Sequence, residues 1–239
     1  MKKKFIIFFF ILVISDVTKL NAVINKQKIC SNNSDTYYNL KIKSIEVKVD
    51  KFKKWTVNGI RIITGNFRWV PEKYKKRFNA EIIVNYNNSI QCKFNARIRH
   101  NGNQKDHIRL FDNSNSIIQS IDVNLNEGQI LGIKQFKLLL DNTRGVLKDE
   151  IFLTTLLREL DYLAPRTFHT NVKINNSNIK MIFQEKASFE MLKFNKRMDG
   201  PIFRGDERFF FTLVESLPDN NISKDAQGMI PLLNKGAKL

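Results

Sequence analysis

The chain has 239 residues, 42% of them hydrophobic, and a formal net charge of +17. This length and apolar content predict one domain, or one domain with an appendage, and are sufficient for a hydrophobic core, which excludes a wholly disordered chain. Residues 23–109 carry 19 Lys and Arg against 6 Asp and Glu, whereas residues 110–239 carry 17 against 16. Such a basic region attracts phosphates, anionic membrane surfaces or acidic proteins, although a lysine-rich proteome would produce the same bias.

Residues 1–22 have the pattern of a secretory signal peptide. Lys2–Lys4 form a basic start, Phe5–Ile14 form an apolar run, and Ala22 ends a plausible cleavage site. An uncleaved N-terminal anchor is the alternative. Either reading predicts an exported protein, whether periplasmic, membrane-anchored or extracellular. Cys30 and Cys92 could form a disulfide in such a compartment, although their spacing does not decide it.

Residues 23–80 are predicted to be a basic lead-in of strands and turns. Ile45, Val47 and Val49 alternate with charged residues, which indicates a half-buried strand. The stretch from Trp55 to Tyr74 contains several turn-forming pairs, so turns are expected to dominate it.

A clear hairpin pattern follows. Two alternating apolar runs, 82–86 and 90–98, flank the turn Asn87-Asn88. The second run leads into the polar loop 99–107, which contains Gly102. A loop of this kind either closes over a phosphate through its backbone N–H groups or is an ordinary surface turn.

The strongest local pattern is a strand followed by a helix. Phe136–Leu140 indicates a buried strand, and Asp141–Thr143 contains residue types that cap helices. A helix is predicted from about Gly145 to Leu163, where the chain reaches Pro165. Its apolar stripe, predicted to be the core of the fold, consists of Leu153, Leu156, Leu157 and Leu160.

A strand at 121–125 and a second hairpin at 172–183 complete the pattern, followed by a short amphipathic helix near Phe189. The predicted fold class is therefore α+β, with antiparallel strands packed on one principal helix.

Several short motifs then occur in a characteristic order. They are Arg99–Asn103, Lys134–Leu138, Asp141–Arg144, Arg158–Leu160, Ala164-Pro165, Val172–Asn175, Ile182–Glu185 and Gly200–Arg204. Together they resemble the N-terminal lobe of the CotH-like family, which comprises spore-coat kinases with a divergent protein-kinase-like fold. The resemblance covers residues 81–206. The loop departs from the family's pattern, because His100 and Asn101 stand between its arginine and glycine.

The resemblance implies a nucleotide site that binds ATP and Mg²⁺. Its candidate cofactor-binding residues are Arg99, Gly102, Asn103, Lys137, Glu150 and Glu185. In this reading, Lys137 faces a nucleotide phosphate and pairs with Glu150 or Glu159. In the alternative reading, strict alternation turns Lys137 to solvent.

The family's catalytic and metal-binding carboxylates lie beyond the last matching motif. Only 33 residues follow Asp206, in a tail at 207–239 that is polar and expected to be poorly ordered. We therefore name no catalytic residue and no metal ligand, and expect a truncated, catalytically incomplete kinase-like protein.

Two functions remain open: an exported, inactive kinase-like protein and a non-enzymatic binding module for an anionic partner. The partner would be an acidic or Ser-rich protein or an anionic membrane surface. Export and the absence of a recognisable nucleic-acid-binding motif disfavour nucleic acid.

Overall fold

The computed structural model describes residues 30, 40–87, 89–111, 116–143, 148–175 and 177–202. The strands are β1 Ile42–Val49, β2 Phe78–Tyr86, β3 Gln91–His100, β4 Ile108–Phe111, β5 Ser116–Gln119, β6 Ile121–Leu125, β7 Gln135–Leu140, β8 Thr167–Ile174 and β9 Ser177–Glu185. The α-helices are α1 Phe52–Thr64, α2 Asp149–Glu159 and α3 Phe189–Phe194. Single 3-10 turns cover Glu72–Tyr74, Lys105–His107 and Asp141–Thr143.

Seven strands close into a barrel in the order β1-β2-β3-β6-β7-β9-β8. Every neighbouring pair is antiparallel except β1 and β8, which run parallel and close the barrel. The α+β class is confirmed, with strands predominating. The stretch expected to be a lead-in, residues 23–80, supplies β1 and the first residues of β2.

The barrel interior is the main hydrophobic core. Strand residues alternate between the interior and the outside, because successive side chains of a strand point to opposite faces. Phe136 and Phe183 stack with ring centroids 4.5 Å apart, and Phe168 stacks on Phe183 at 4.7 Å. Phe136 and Phe183 are fully buried, and the surrounding core consists mainly of aliphatic residues of the barrel strands, together with Trp55 of α1 and Ile130 and Ile133 of the β6–β7 connection.

The strands predicted from alternation are confirmed. β2 and β3 form the first hairpin, and β8 and β9 form the second. The structure adds a separate two-stranded sheet of β4 and β5, which was not predicted. Compact packing divides the chain into residues 1–186, which contain the barrel, and residues 187–239, which contain α3. The predicted signal peptide and the tail at 207–239 lie outside the described residues.

The predicted principal helix exists as α2, but its role as the core of the fold is wrong. Leu153 and Leu160 of the expected buried stripe are 53% and 60% exposed, and Thr154 is the buried residue of the helix. The main hydrophobic core contains no residue of α2, which lies outside the barrel, against β8. The predicted cap is also wrong, because Asp141–Thr143 form a separate 3-10 turn and Lys148 precedes α2 without a side-chain cap.

The turns expected between Trp55 and Tyr74 are wrong for the first half of that stretch, because α1 extends to Thr64. Asn58 and Gly59 disfavour helix locally, but tertiary contacts outweigh this preference. The Asn58 side chain donates to the Tyr74 carbonyl at 2.8 Å. A Cβ on Gly59 would lie 3.1 Å from the Ile117 side chain, so the glycine permits close packing. Trp55 packs edge-on against Phe78.

Candidate functional site

Two rows of side chains cross the outer surface of β3, β6, β7 and β9. In the first row, Arg99 lies opposite Asp122, Asp122 opposite Lys137, and Lys137 opposite Gln184. Directly opposed residues of paired strands project from the same face of the sheet. Because Phe136 and Leu138 fill the interior, this row faces outward. The structure therefore brings Arg99 and Lys137, two of the predicted site residues, onto one surface.

The second row is parallel to the first and contains Arg97, Asn124 and Gln135. Lys186 follows β9 and continues this row, because its backbone N–H donates to the Gln135 carbonyl. Arg77 joins from the segment ahead of β2, since its Nη1 donates to the Arg97 carbonyl at 3.1 Å. We call the surface formed by Arg77, Arg97, Arg99, Asp122, Lys137 and Lys186 the basic face.

Asp122 is the centre of the basic face. Its side chain is 4% exposed, and its carboxylate lies 3.0 Å from Lys186 Nζ, 3.2 Å from Arg77 Nη2 and 3.5 Å from Arg99 Nη2. Burial alone would raise the pKa of Asp122. The charge and hydrogen bond of Lys186, with the charges of Arg77 and Arg99, hold this pKa below its usual value. Asp122 is therefore ionised at neutral pH and positions three cations.

The charges of the basic face do not cancel. Three cations contact one carboxylate at its centre, so two positive charges there are uncompensated. The Arg77 and Lys186 side chains are 22% and 21% exposed, and that of Arg99 is 38% exposed. Partly desolvated guanidinium groups held in place suit carboxylate, sulfate or phosphate oxygens, which they bind through paired N–H donors.

Gly102 and Asn103 lie in the loop after β3 and have structural contacts there. Gly102 has a φ of +123°, and a Cβ at this position would meet the His107 ring at 2.3 Å. Asn103 accepts a 2.8 Å hydrogen bond from Lys75 Nζ, and its backbone carbonyl accepts from the Val70 N–H. These two hydrogen bonds connect the loop to residues 70–75.

Lys105, in the same loop, lies at the C-terminal end of α1, where Nζ donates to the backbone carbonyls of Ile63 and Gly65. Cations are favourable at this end of a helix. Lys105 also lies 5.0 Å from the centre of the Phe67 ring. These contacts account for Lys105 without a bound phosphate.

The two predicted carboxylates have different surroundings. Glu150 of α2 accepts a hydrogen bond from Gln184 Nε2, so it lies at the edge of the basic face beside Lys137. Glu185 is fully buried and accepts three hydrogen bonds from Arg166, through its backbone N–H, Nε and Nη2. The Arg166–Glu185 pair is a buried internal contact rather than part of the basic face.

Sequence reasoning missed Asp122, Arg77 and Lys186. One signal was available, because Asp122 is an acidic residue in the apolar stretch Ile121–Leu125. A buried carboxylate requires cationic or hydrogen-bonding partners. The identity of those partners depends on barrel closure, which brings together residues that are 45 and 64 positions from Asp122.

Cys30 and Cys92 form a disulfide, which resolves a pairing that the sequence left open. Over the described ranges, no three His, Cys, Asp or Glu side chains are arranged to hold a metal ion. None of the described helices is long and apolar enough to span a bilayer.

Comparison with protein-family models and with curated proteins found no match for this chain.

Proposed function

We propose that this protein is an exported, non-enzymatic module that binds an anionic partner through the basic face. The observation that carries the proposal is the set of three cations around the buried Asp122, which leaves two positive charges uncompensated. Ionic groups held in fixed positions bind a charged partner at a lower cost in side-chain entropy.

The opposite part of the barrel differs in charge pattern. Two outward lysines on β1 and β8 have acidic partners: Lys48 lies 3.7 Å from Glu81, and Lys173 lies 3.3 Å from Glu46. Each of these pairs is balanced in charge, whereas the three cations around Asp122 share one carboxylate. Concentrated charge of one sign increases the encounter rate with an oppositely charged partner.

Export is supported by two independent features. The basic and apolar start of the chain, Lys2–Lys4 and Phe5–Ile14, has the pattern of a signal segment. The Cys30–Cys92 disulfide is typical of oxidising compartments outside the cytosol. Within such a compartment, the expected anionic partners are acidic or Ser-rich proteins and anionic membrane surfaces.

The test compares two double variants that remove the same amount of charge. Arg97→Gln with Arg99→Gln changes the basic face, whereas Lys48→Gln with Lys173→Gln changes the mixed face. A charge-assisted contact contributes about 1.5–3 kcal/mol, so the first variant should bind heparin at least about tenfold more weakly than wild type. The control variant should bind nearly as well as wild type. Equal losses in the two variants would show only a response to net charge and would refute the proposal.

A nucleotide-binding function, related to the kinase resemblance, is the second candidate. One observation favours it. Lys137 lies opposite Gln184 on the neighbouring strand, and the Gln184 side chain donates a hydrogen bond to Glu150 of α2. A strand lysine near a helix glutamate is the arrangement that clamps nucleotide phosphates in kinases. ATP with Mg²⁺ should then raise the melting temperature of wild type but not of Lys137→Ala. The exposed Lys93→Ala on the same sheet is the control, and no shift at millimolar ATP counts against this candidate.

A further inference from the structure

The basic face combines cations with amides. Asn124, Gln135 and Gln184 are interspersed among its charged residues in the two outward rows. Amide side chains both donate and accept hydrogen bonds, so they pair well with hydroxyl groups. The combination suits a ligand that carries acid groups and hydroxyls on the same scaffold.

Two buried polar atoms in these rows are without a hydrogen-bond partner within the described structure. They are Arg99 Nε, a donor, and Asn124 Oδ1, an acceptor. Such atoms are costly unless a ligand or water satisfies them. A ligand that satisfies both must accept one hydrogen bond and donate another.

This requirement separates polyphosphate from acidic polysaccharides. Polyphosphate at neutral pH offers mainly acceptors, which suit Arg99 Nε but not Asn124 Oδ1. An acidic polysaccharide offers carboxylate or sulfate oxygens together with hydroxyl donors.

An acidic protein would also offer both kinds of group, but protein interfaces are anchored by buried apolar and aromatic residues. The large hydrophobic side chains exposed in the described ranges lie on other elements, Phe152 and Leu153 of α2 among them, and none lies on the outer surface of β3, β6, β7 or β9.

We infer that the ligand of the basic face is an acidic polysaccharide, with cations binding its acid groups and Asn124 accepting from a hydroxyl. This inference rests on the proposed function and specifies its ligand. Neighbouring strands are about 4.8 Å apart, so the four strands span about 14 Å. The face thus presents several contacts to an extended chain rather than one pocket to a small molecule.

The experiment measures binding of the purified full chain to polygalacturonate, polyphosphate and phosphatidylglycerol vesicles at equal concentrations of negative charge. Polygalacturonate should bind most tightly. Asn124→Ala should weaken polygalacturonate binding about 3- to 10-fold, the effect of one lost hydrogen bond, and leave polyphosphate binding unchanged. Asn95→Ala, an exposed amide on β3, is the matched control and should have no effect. Melting curves verify that both variants are folded.

The outcomes distinguish this inference from the proposed function. Tighter binding to polyphosphate or to vesicles, or equal polygalacturonate binding by wild type and Asn124→Ala, would overturn the polysaccharide inference and leave anion binding intact. Failure to bind any of the three probes would refute both.

Discussion

His100 provides the sharpest prediction about pH and stability. Its side chain is 1% exposed, and its Nδ1 lies 2.9 Å from Gln119 Oε1. Nε2 is buried without a partner in the described part of the chain. Burial lowers the pKa of His100 to about 4. The hydrogen bond to Gln119 and the charge of Asp106 oppose this shift, whereas the charges of His107 and Lys75 add to it. The folded protein therefore holds this imidazole neutral.

The sign of the effect follows from the two pKa values. The unfolded chain binds a proton at His100 below about pH 6.5, whereas the folded protein does so only below about pH 4. Between these values the unfolded state binds more protons, so stability falls as the pH falls. The slope is about 1.4 kcal/mol per pH unit, and the total loss is about 3 kcal/mol.

Urea unfolding of wild type and His100→Gln across this pH range provides the test. Glutamine removes the titrating group but keeps a polar side chain. A loss of stability that is equal at every pH does not affect the comparison, which concerns the slopes of stability against pH. We expect the stability of wild type to fall more steeply than that of the variant, by about 1.4 kcal/mol per pH unit between about pH 6 and pH 4.5. Parallel curves would show that His100 is protonated in the folded state or is not buried.

Three further predictions concern stability. Phe183→Ala should lower the free energy of unfolding by about 3–5 kcal/mol, because it leaves a cavity in the barrel core. Leu153→Ala, on the exposed side of α2, should lower it by under about 1 kcal/mol in the same urea assay. Similar losses in the two variants would contradict the assignment of the core. Arg166→Ala should lower the free energy of unfolding by about 3–5 kcal/mol, because it leaves the buried Glu185 carboxylate without its cation. The double variant Arg166→Ala with Glu185→Gln should regain part of this stability, and no gain would argue against the ion pair. Cys92→Ser should lower stability by about 2–4 kcal/mol under oxidising conditions, and reduction should lower wild type to a similar level; a wild type insensitive to reductant would contradict the disulfide.

Alternation of apolar and polar residues was sufficient to locate most of the barrel strands. It works because one face of each strand is buried, so Ile82 and Val84 had to be inward and their neighbours outward. The same rule explains why Lys137 faces outward between Phe136 and Leu138. Barrel closure was not predictable from this pattern, because the pairing of β1 with β8 joins segments more than a hundred residues apart.

The helices show where local patterns mislead. The leucine repeat of α2 has the correct helical period, but periodicity does not determine which side is covered. For α1, the pair Asn58-Gly59 predicted a turn. In the structure, both residues lie within the helix, where Asn58 donates a hydrogen bond to the Tyr74 carbonyl and Gly59 permits close packing of Ile117. At the candidate site, Arg99 and Lys137 were found from sequence, whereas the central Asp122 required the cross-strand register.

Binding of anions at the basic face can be mapped residue by residue. Amide chemical shifts of the isotope-labelled protein are recorded during titration with soluble galacturonate oligomers and, in parallel, with short polyphosphate. Binding at the basic face predicts that the salt-sensitive shifts cluster on β3, β6, β7 and Lys186, and that Arg97→Gln with Arg99→Gln abolishes them. Shifts concentrated around Lys48 and Lys173, or no shifts with either anion, would contradict the claim.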